Sequence, residues 1–126
     1  MSKSGMGELV SEVARLHDKI EELSYYDFLA VSPKTDYIGI RDAFYTRAQL
    51  FHPDRFVAMQ GESVKKAVYS VYKRMTEAYQ VLSDPERRAK YDVIYSQQRE
   101  GRWKPFHRAG WREWLYRDPY RAQDRG

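Results

Sequence analysis

The residues of this chain with the clearest chemical potential are His52, Pro53 and Asp54, which are consecutive in the sequence. An imidazole and a carboxylate this close could act as an acid–base dyad. However, Pro53 separates them in sequence, and the surrounding residues indicate neither a third partner nor a pocket. The other histidines, His17 and His107, are far away in the sequence. We therefore expect no catalytic residue, and we expect that the chain is not an enzyme.

Other chemistry-bearing patterns are missing from the sequence. It has no phosphate-binding glycine loop, no dinucleotide glycine motif, no histidine pair at metal spacing and no nucleophile motif. The chain has no cysteine, which excludes disulfides, thiolate metal sites and cysteine nucleophiles. We therefore expect no cofactor and no metal site.

Two amphipathic helices are predicted on either side of the His-Pro-Asp triplet. The first covers about 37–51, with Asp36 as its cap. The second covers about 64–82, where apolar residues recur at steps of three and four. Pro53 cannot easily continue a helix and biases His52 towards extended backbone. The triplet should therefore lie in a loop presented between two helices, whose predicted inner residues are Ile40, Ala43, Phe44, Ala48, Phe51, Val64, Val68, Val71, Tyr72, Met75, Ala78, Tyr79 and Leu82.

Shorter helices are predicted at both ends of this pair. Ser24 is a plausible N-cap, with Asp27 in capping-box position, for a helix over 25–30. Ser83 or Asp84 can cap a last helix that begins near Pro85 and runs to about residue 98. No strand, repeat or low-complexity segment is indicated, so the predicted fold class is all-α.

An N-terminal amphipathic helix is predicted over 8–23. Its apolar residues, spaced by 4, 3, 4 and 3, form one stripe consisting of Leu9, Val13, Leu16, Ile20 and Leu23. This stripe could pack on its own domain. Alternatively, two copies of the chain could form a dimer through residues 9–23.

The excess positive charge of the chain lies in its C-terminal tail. The net charge is +4, yet residues 1–100 carry 15 basic and 15 acidic side chains. Aromatic residues alternate with arginines in the tail, and the candidate partner-binding residues are Trp103, Trp111, Trp114 and Arg112. The tail could dock on its own domain through Trp111, Trp114 and Leu115, or bind a protein client. Nucleic acid or a membrane surface is the weaker alternative, because bulk charge argues only for non-specific attraction.

No apolar run approaches the roughly 18 residues that a membrane span requires. The first seven residues are short and polar, and no apolar segment of a signal peptide follows them. We therefore expect no membrane span and a cytoplasmic protein.

The order and spacing of four segments resemble the J domain of the DnaJ family: 25–29, the His-Pro-Asp triplet, 77–85 and 87–92. The resemblance implies an antiparallel helical hairpin with short flanking helices over 24–92. Residues 1–23 would be a helical extension, and 93–126 would hold the end of the last helix and the aromatic-basic tail. With no zinc module and no Gly/Phe-rich linker, the chain is most similar to the J-domain-only class.

The resemblance also implies a function. J-domain co-chaperones bind a DnaK-type heat-shock chaperone through the His-Pro-Asp loop and stimulate its ATP hydrolysis. The residues that would bind the chaperone are His52, Pro53, Asp54, Arg41 and Arg55. Asp54 could pair with an arginine of the chaperone, a charge-assisted bond that is stronger than a neutral one.

The helix over 37–51 departs from the family pattern. Tyr45 and Thr46 occupy positions that are usually basic, and Arg47 stands where leucine is usual. The Arg47 stem should pack between the two long helices while its guanidinium finds a carboxylate or the solvent edge. Replacing Arg47 by leucine should then be neutral or stabilising.

These departures favour another function, a J-like scaffold or adaptor that does not stimulate an ATPase. A nucleic-acid-binding accessory is a further alternative, which only the tail favours. Iron–sulfur-assembly J proteins also share the run from His52 to Phe56, although their C-terminal helical domain is larger than this tail.

Overall fold

The computed structural model of the chain describes residues 5–58, 61–99 and 115. Five α-helices and one short 3-10 helix account for most of them, and no strand occurs in these ranges. The predicted all-α fold class is thus confirmed. The helices are α1 (Met6–Asp18), α2 (Tyr25–Leu29), α3 (Tyr37–Leu50), the 3-10 helix (Pro53–Phe56), α4 (Glu62–Leu82) and α5 (Pro85–Arg99). The chain divides into two compact units, Met1–Gln80 and Val81–Gly126.

The starts of α2 and α3 are set by the caps that the sequence predicts. Ser24 Oγ accepts a hydrogen bond from the backbone N–H of Asp27 at 3.0 Å, and Asp27 Oδ2 accepts one from Ser24 N–H at 3.0 Å. At α3, Asp36 Oδ1 accepts from Gly39 N–H at 2.9 Å. Each cap gives a partner to an N–H group that the helix itself cannot satisfy.

Helices α3 and α4 run antiparallel. The rings of Phe44 in α3 and Tyr79 in α4 stack with centroids 4.4 Å apart. Beyond the end of α3, the His52 ring contacts Tyr72 with centroids 5.2 Å apart. As the chain advances from Phe44 to His52, its contacts in α4 move back from Tyr79 to Tyr72, as an antiparallel pair requires. The predicted helical hairpin is confirmed.

The core of the first unit combines residues from every helix in it. Six of the residues that helical periodicity predicted as inner are only half-buried; they are Ala43, Phe44, Ala48, Val64, Tyr72 and Tyr79. The three aromatic ones lie at the edge of the hairpin, where ring contacts replace full burial. The buried apolar residues of this unit are Val13, Leu16, Tyr25, Tyr26, Phe28, Leu29, Ile40, Phe51, Phe56, Val68, Val71, Met75 and Ala78.

Helix α1 is shorter than predicted and packs within the first unit. It ends at Asp18 instead of Leu23, and turns follow over 19–22. Val13 and Leu16 are buried within the single chain. This supports packing of the stripe on its own domain. A dimer through 9–23 gains no support, because the two central residues of its stripe are already covered.

The second unit contains the last two residues of α4 and all of α5. Pro85 is the first residue of α5, as predicted. Asp84 Oδ1 accepts from Glu86 N–H at 3.3 Å, and Asp84 Oδ2 pairs with Arg87 Nη1 at 3.1 Å. Asp84 is thus the residue that caps this helix. The buried apolar residues here are Val81, Leu82, Tyr91, Ile94 and Leu115.

The tail residues Trp103, Trp111, Trp114 and Arg112 lie outside the described residues, so their predicted roles stay predictions. Leu115 is helical and 1% exposed. Within the described ranges, no helix is both long and apolar enough to cross a membrane. The division into 1–23, 24–92 and 93–126 also stays a prediction.

Candidate functional site

The His-Pro-Asp loop, defined here as residues 52–55, is held at both ends by buried aromatic side chains. Phe51 precedes it and is 2% exposed, while Phe56 follows it and is 1% exposed. Burial of one phenylalanine side chain stabilises by about 2 kcal/mol. The two anchors therefore fix both ends of the loop, and the three polar residues between them need not contribute to the core.

The backbone of the loop follows from its proline. His52 is extended, with φ −63° and ψ 135°, as expected of a residue that precedes proline. Pro53 then begins the 3-10 helix, and Arg55 N–H donates to the carbonyl of His52 at 2.9 Å. Proline suits this first position because its fixed φ is helical and no N–H group is needed there.

The side chain of His52 is oriented by two contacts. Its Nδ1 accepts a hydrogen bond from the backbone N–H of Asp54 at 3.1 Å. A neutral imidazole that accepts at Nδ1 must carry its hydrogen on Nε2. The ring also meets Tyr72 of α4 edge-on, at an interplanar angle of 64°. Tyr72 was predicted only as an inner residue, so its support of His52 is a role that periodicity did not reveal.

Asp54 presents its carboxylate to solvent. Its side chain is 89% exposed, whereas that of His52 is 45% exposed. Among the described residues, the nearest cationic or titratable nitrogen is His52 Nδ1, 3.8 Å from Asp54 Oδ2. Arg55, the next residue, is also exposed. The loop therefore offers an N–H donor, a carboxylate acceptor and a cation in a row, which suits recognition of another molecule.

The His-Pro-Asp loop is not part of a metal-binding cluster among the residues that the structure describes. No group of three or more His, Cys, Asp or Glu side chains in these ranges could hold a metal ion. The loop also brings no second carboxylate or nucleophile beside His52.

Arg41, predicted to bind the chaperone, lies on the exposed side of α3 with its charge already paired. Its Nη2 is 3.2 Å from Asp42 Oδ1, in a pair that is largely exposed to solvent. The hydrogen bond to Asp42 raises the pKa of the Arg41 guanidinium. A binding partner must therefore compete with Asp42 for the Arg41 guanidinium.

Tyrosines flank Arg41 on this side of α3. Tyr37 and Tyr45, each one turn from Arg41, are both about half exposed. Tyr45 also contacts the ring of Tyr79, with centroids 6.1 Å apart. A hydrogen bond to Tyr37 and partial burial raise the pKa of Tyr79 to about 12. The side of α3 that carries Arg41 therefore has two half-exposed tyrosines and no second cation.

Arg47 is turned inwards and holds three helices together. Its Nε donates to the carbonyl of Phe28 at 2.7 Å, and its Nη2 lies 3.4 Å from Glu12 Oε2. The guanidinium also lies over the ring of Phe51, 5.2 Å from its centroid. The prediction that the Arg47 guanidinium reaches a carboxylate is confirmed, and its partners lie in α1 and α2.

Arg74 in α4 makes a second contact of this kind, which the sequence analysis did not predict. Its Nη1 donates to the carbonyl of Ile20 at 3.0 Å, and its Nη2 lies 3.4 Å from Glu21 Oε2. Its Nε lies 3.8 Å from Glu77, whose carboxylate also accepts from the hydroxyl of Tyr25. We refer to Arg47 and Arg74, with these partners, as the arginine clamp.

The sequence of the chain is similar to those of known proteins. The model of the DnaJ domain family matches residues 24–92, more than half of the chain. The Curved DNA-binding protein of Pseudomonas syringae pv. tomato is 39% identical over 88 residues, which cover 69% of this chain and 25% of that protein. The Chaperone protein DnaJ of Mycoplasma genitalium is 40% identical over 68 residues, covering 54% of this chain and 17% of that protein.

The chain thus spans a quarter or less of the length of these curated relatives. No solved structure matches it significantly. The family match covers the hairpin, the loop at its end and the short helix before it. On this evidence the chain belongs to the DnaJ domain family.

Proposed function

We propose that this protein is a co-chaperone that binds a DnaK-type chaperone through the His-Pro-Asp loop and stimulates its ATP hydrolysis. In this proposal the chain has no catalytic residue of its own, and the chemistry takes place on the chaperone. The observation that carries the proposal is the exposed pair of His52 and Asp54, held between two buried phenylalanines. Relatives named as DnaJ chaperones add support.

The loop can act through both polar groups at once. The Nε2–H group of His52 can donate to a carbonyl or carboxylate, and the carboxylate of Asp54 can accept from an arginine or from backbone N–H groups. Because Pro53 and the 3-10 helix restrict the backbone, little conformational freedom is lost on docking. A weak, transient complex suits a co-chaperone that must release its partner after each cycle.

Steady-state ATP hydrolysis by a DnaK-type chaperone, measured over a range of concentrations of this protein, tests the proposal. Wild-type protein should raise the rate in a saturable manner. The variant His52→Gln should not, although it should fold normally. His17→Gln is the matched control, because His17 is an exposed histidine of α1 that is outside the loop. Stimulation by His52→Gln equal to that of wild type would refute the co-chaperone function.

A scaffold function without ATPase stimulation is the second candidate, and the state of α3 favours it. Arg41 is paired with Asp42 and Arg47 is turned inwards, so this helix offers little free positive charge. A scaffold would bind the chaperone or another protein without changing its ATPase rate. Binding measured alongside hydrolysis separates the two functions. The nucleic-acid alternative, the client-binding tail and the cytoplasmic location stay predictions, and no contact of a described residue favours a nucleic acid.

A further inference from the structure

The two long helices differ in how their positive charges are used. In α3, Arg41 is paired with Asp42, and Arg47 bonds to α1 and α2. In α4, three exposed lysines have no carboxylate partner among the residues that the structure describes; they are Lys65, Lys66 and Lys73. The free positive charge next to the loop is therefore on α4.

These lysines share one side of α4. At 100° per residue, Lys65, Tyr69, Lys73 and Lys66 fall within an arc of about 100°, along about 12 Å of helix. Tyr69 lies among them, is 58% exposed, and has Lys73 Nζ 5.1 Å from its ring centroid. We call these four residues the α4 basic face. Glu62 falls on the same arc, so three lysines and one carboxylate leave a net charge of +2.

The α4 basic face is continuous with the His-Pro-Asp loop. Tyr69 is three residues from Tyr72, so the two are neighbours on the helix surface. Tyr72 in turn contacts the ring of His52. Arg55, exposed at the other end of the loop, adds a further cation. A molecule that holds the loop can therefore reach the lysines of α4 in the same binding event.

We propose that an acidic surface of the DnaK-type chaperone docks on the α4 basic face, and not chiefly on α3, while the chaperone holds the loop. This inference rests on the proposed co-chaperone function and specifies where its electrostatic contact is made. Carboxylates of the chaperone pair with the three lysines, and the Tyr69 ring contributes an apolar contact. Charge complementarity of this kind acts mainly by speeding association, and added salt weakens it.

A charge-reversed variant, Lys66→Glu with Lys73→Glu, tests the α4 basic face. It should raise the concentration needed for half-maximal ATPase stimulation by about tenfold at low salt, while maximal stimulation is retained. The salt dependence of that concentration should also become shallower, which a merely structural defect would not produce. Because both lysines are exposed, the circular dichroism spectrum should not change. The new glutamates lie one turn from Glu62 and Glu77, so the melting temperature should fall by no more than a few degrees.

The matched control is Lys19→Glu with Lys34→Glu, which changes the net charge by the same amount. Lys19 follows α1 and Lys34 precedes α3, and both are exposed. This control should stay within about twofold of wild type. Arg41→Glu tests the rival surface on α3, and its effect should be smaller than that of the α4 variant.

Two results would overturn the inference: an α4 variant that behaves like its charge-matched control, or a larger loss with Arg41→Glu. Either result, with His52→Gln still inactive, would remove the α4 basic face but leave the co-chaperone function intact. A His52→Gln variant as active as wild type would instead refute the co-chaperone function, and the docking inference with it.

Discussion

The His-Pro-Asp loop and the arginine clamp use polar side chains in opposite ways. In the loop, Asp54 is 89% exposed and its carboxylate faces solvent. In the clamp, the Arg47 and Arg74 side chains are 15% and 12% exposed, and both donate to backbone carbonyls. Groups left to solvent can be recruited by a partner at small cost, whereas groups satisfied inside the chain stabilise the fold. Exposure and partners therefore separate binding residues from structural ones.

The largest expected effect is on function, at Asp54. Asp54→Asn removes the negative charge while keeping the shape of the side chain, so ATPase stimulation should fall by about tenfold or more. Stability should change by less than about 0.5 kcal/mol, because the side chain is exposed. Hydrolysis assays and thermal melts measure the two effects. Asp18→Asn, at the exposed end of α1, is the control and should alter neither. A destabilised Asp54→Asn would show that the loop also supports the fold.

The next effect is on stability, at Arg74. Arg74→Met removes the donor to the Ile20 carbonyl and the 3.8 Å ion pair with Glu77, and should cost about 2 kcal/mol of unfolding free energy. Chemical denaturation measures this loss. Lys73→Met is the matched control, since Lys73 is adjacent but exposed and should cost less than about 0.5 kcal/mol. Equal losses at the two positions would contradict the assignment of Arg74 to the clamp.

Arg47 should show a smaller loss in the same assay. The sequence alone suggested that Arg47→Leu is neutral or stabilising. The structure changes this expectation, because the Phe28 carbonyl would lose a 2.7 Å donor, at a cost of about 1–2 kcal/mol. A double-mutant cycle with Glu12→Gln should give a coupling below about 1 kcal/mol, since Glu12 also pairs with Arg15. A stabilised Arg47→Leu would restore the first expectation.

Ala30 tests whether the backbone is strained where α2 ends. It follows α2 with φ 58° and ψ 46°, a left-handed conformation that costs a non-glycine residue about 1 kcal/mol. Ala30→Gly should therefore raise the free energy of unfolding by up to about 1 kcal/mol without changing ATPase stimulation. An unchanged or lower stability would argue against strain at this position.

The smallest effect concerns pH and Glu12. The hydrogen bond from Arg15, aided by Arg47, lowers the pKa of the Glu12 carboxyl in the folded state. A carboxyl with a lowered folded pKa stabilises the protein above its unfolded pKa, and this contribution is lost as the pH falls through the folded pKa. The free energy of unfolding of Glu12→Gln should therefore fall less steeply than that of wild type as the pH drops below about 4.5. The same acid slope in variant and wild type would show that Glu12 makes no contribution.

The caps and the loop could be predicted from the sequence because they depend on neighbouring residues. Ser24 with Asp27, Asp36 with Gly39, and Pro85 all act within three or four residues of a helix start. Pro53 likewise restricts the residue directly before it. Such interactions follow from residue type and spacing, with no knowledge of the rest of the fold.

The end of α1 could not be predicted in this way. In a continuous helix, the Ile20 carbonyl would accept from Ser24 N–H. Instead, Ser24 N–H donates to Asp27, and Arg74, 54 residues away in the sequence, donates to the Ile20 carbonyl. The apolar stripe continues to Leu23, but the hydrogen bonds that would extend the helix are used elsewhere.

The sequence by itself determined which segments are helical apart from the end of α1, the caps of α2, α3 and α5, the position of the His-Pro-Asp loop and the resemblance to J domains, because short-range sterics and helical periodicity act along the chain. Only the tertiary structure decided that Arg47 and Arg74 turn inwards, that Tyr72 supports His52, and that the free lysines near the loop lie on α4. Those choices depend on which groups meet across tens of residues, and on which of them remain without a partner once the helices have packed.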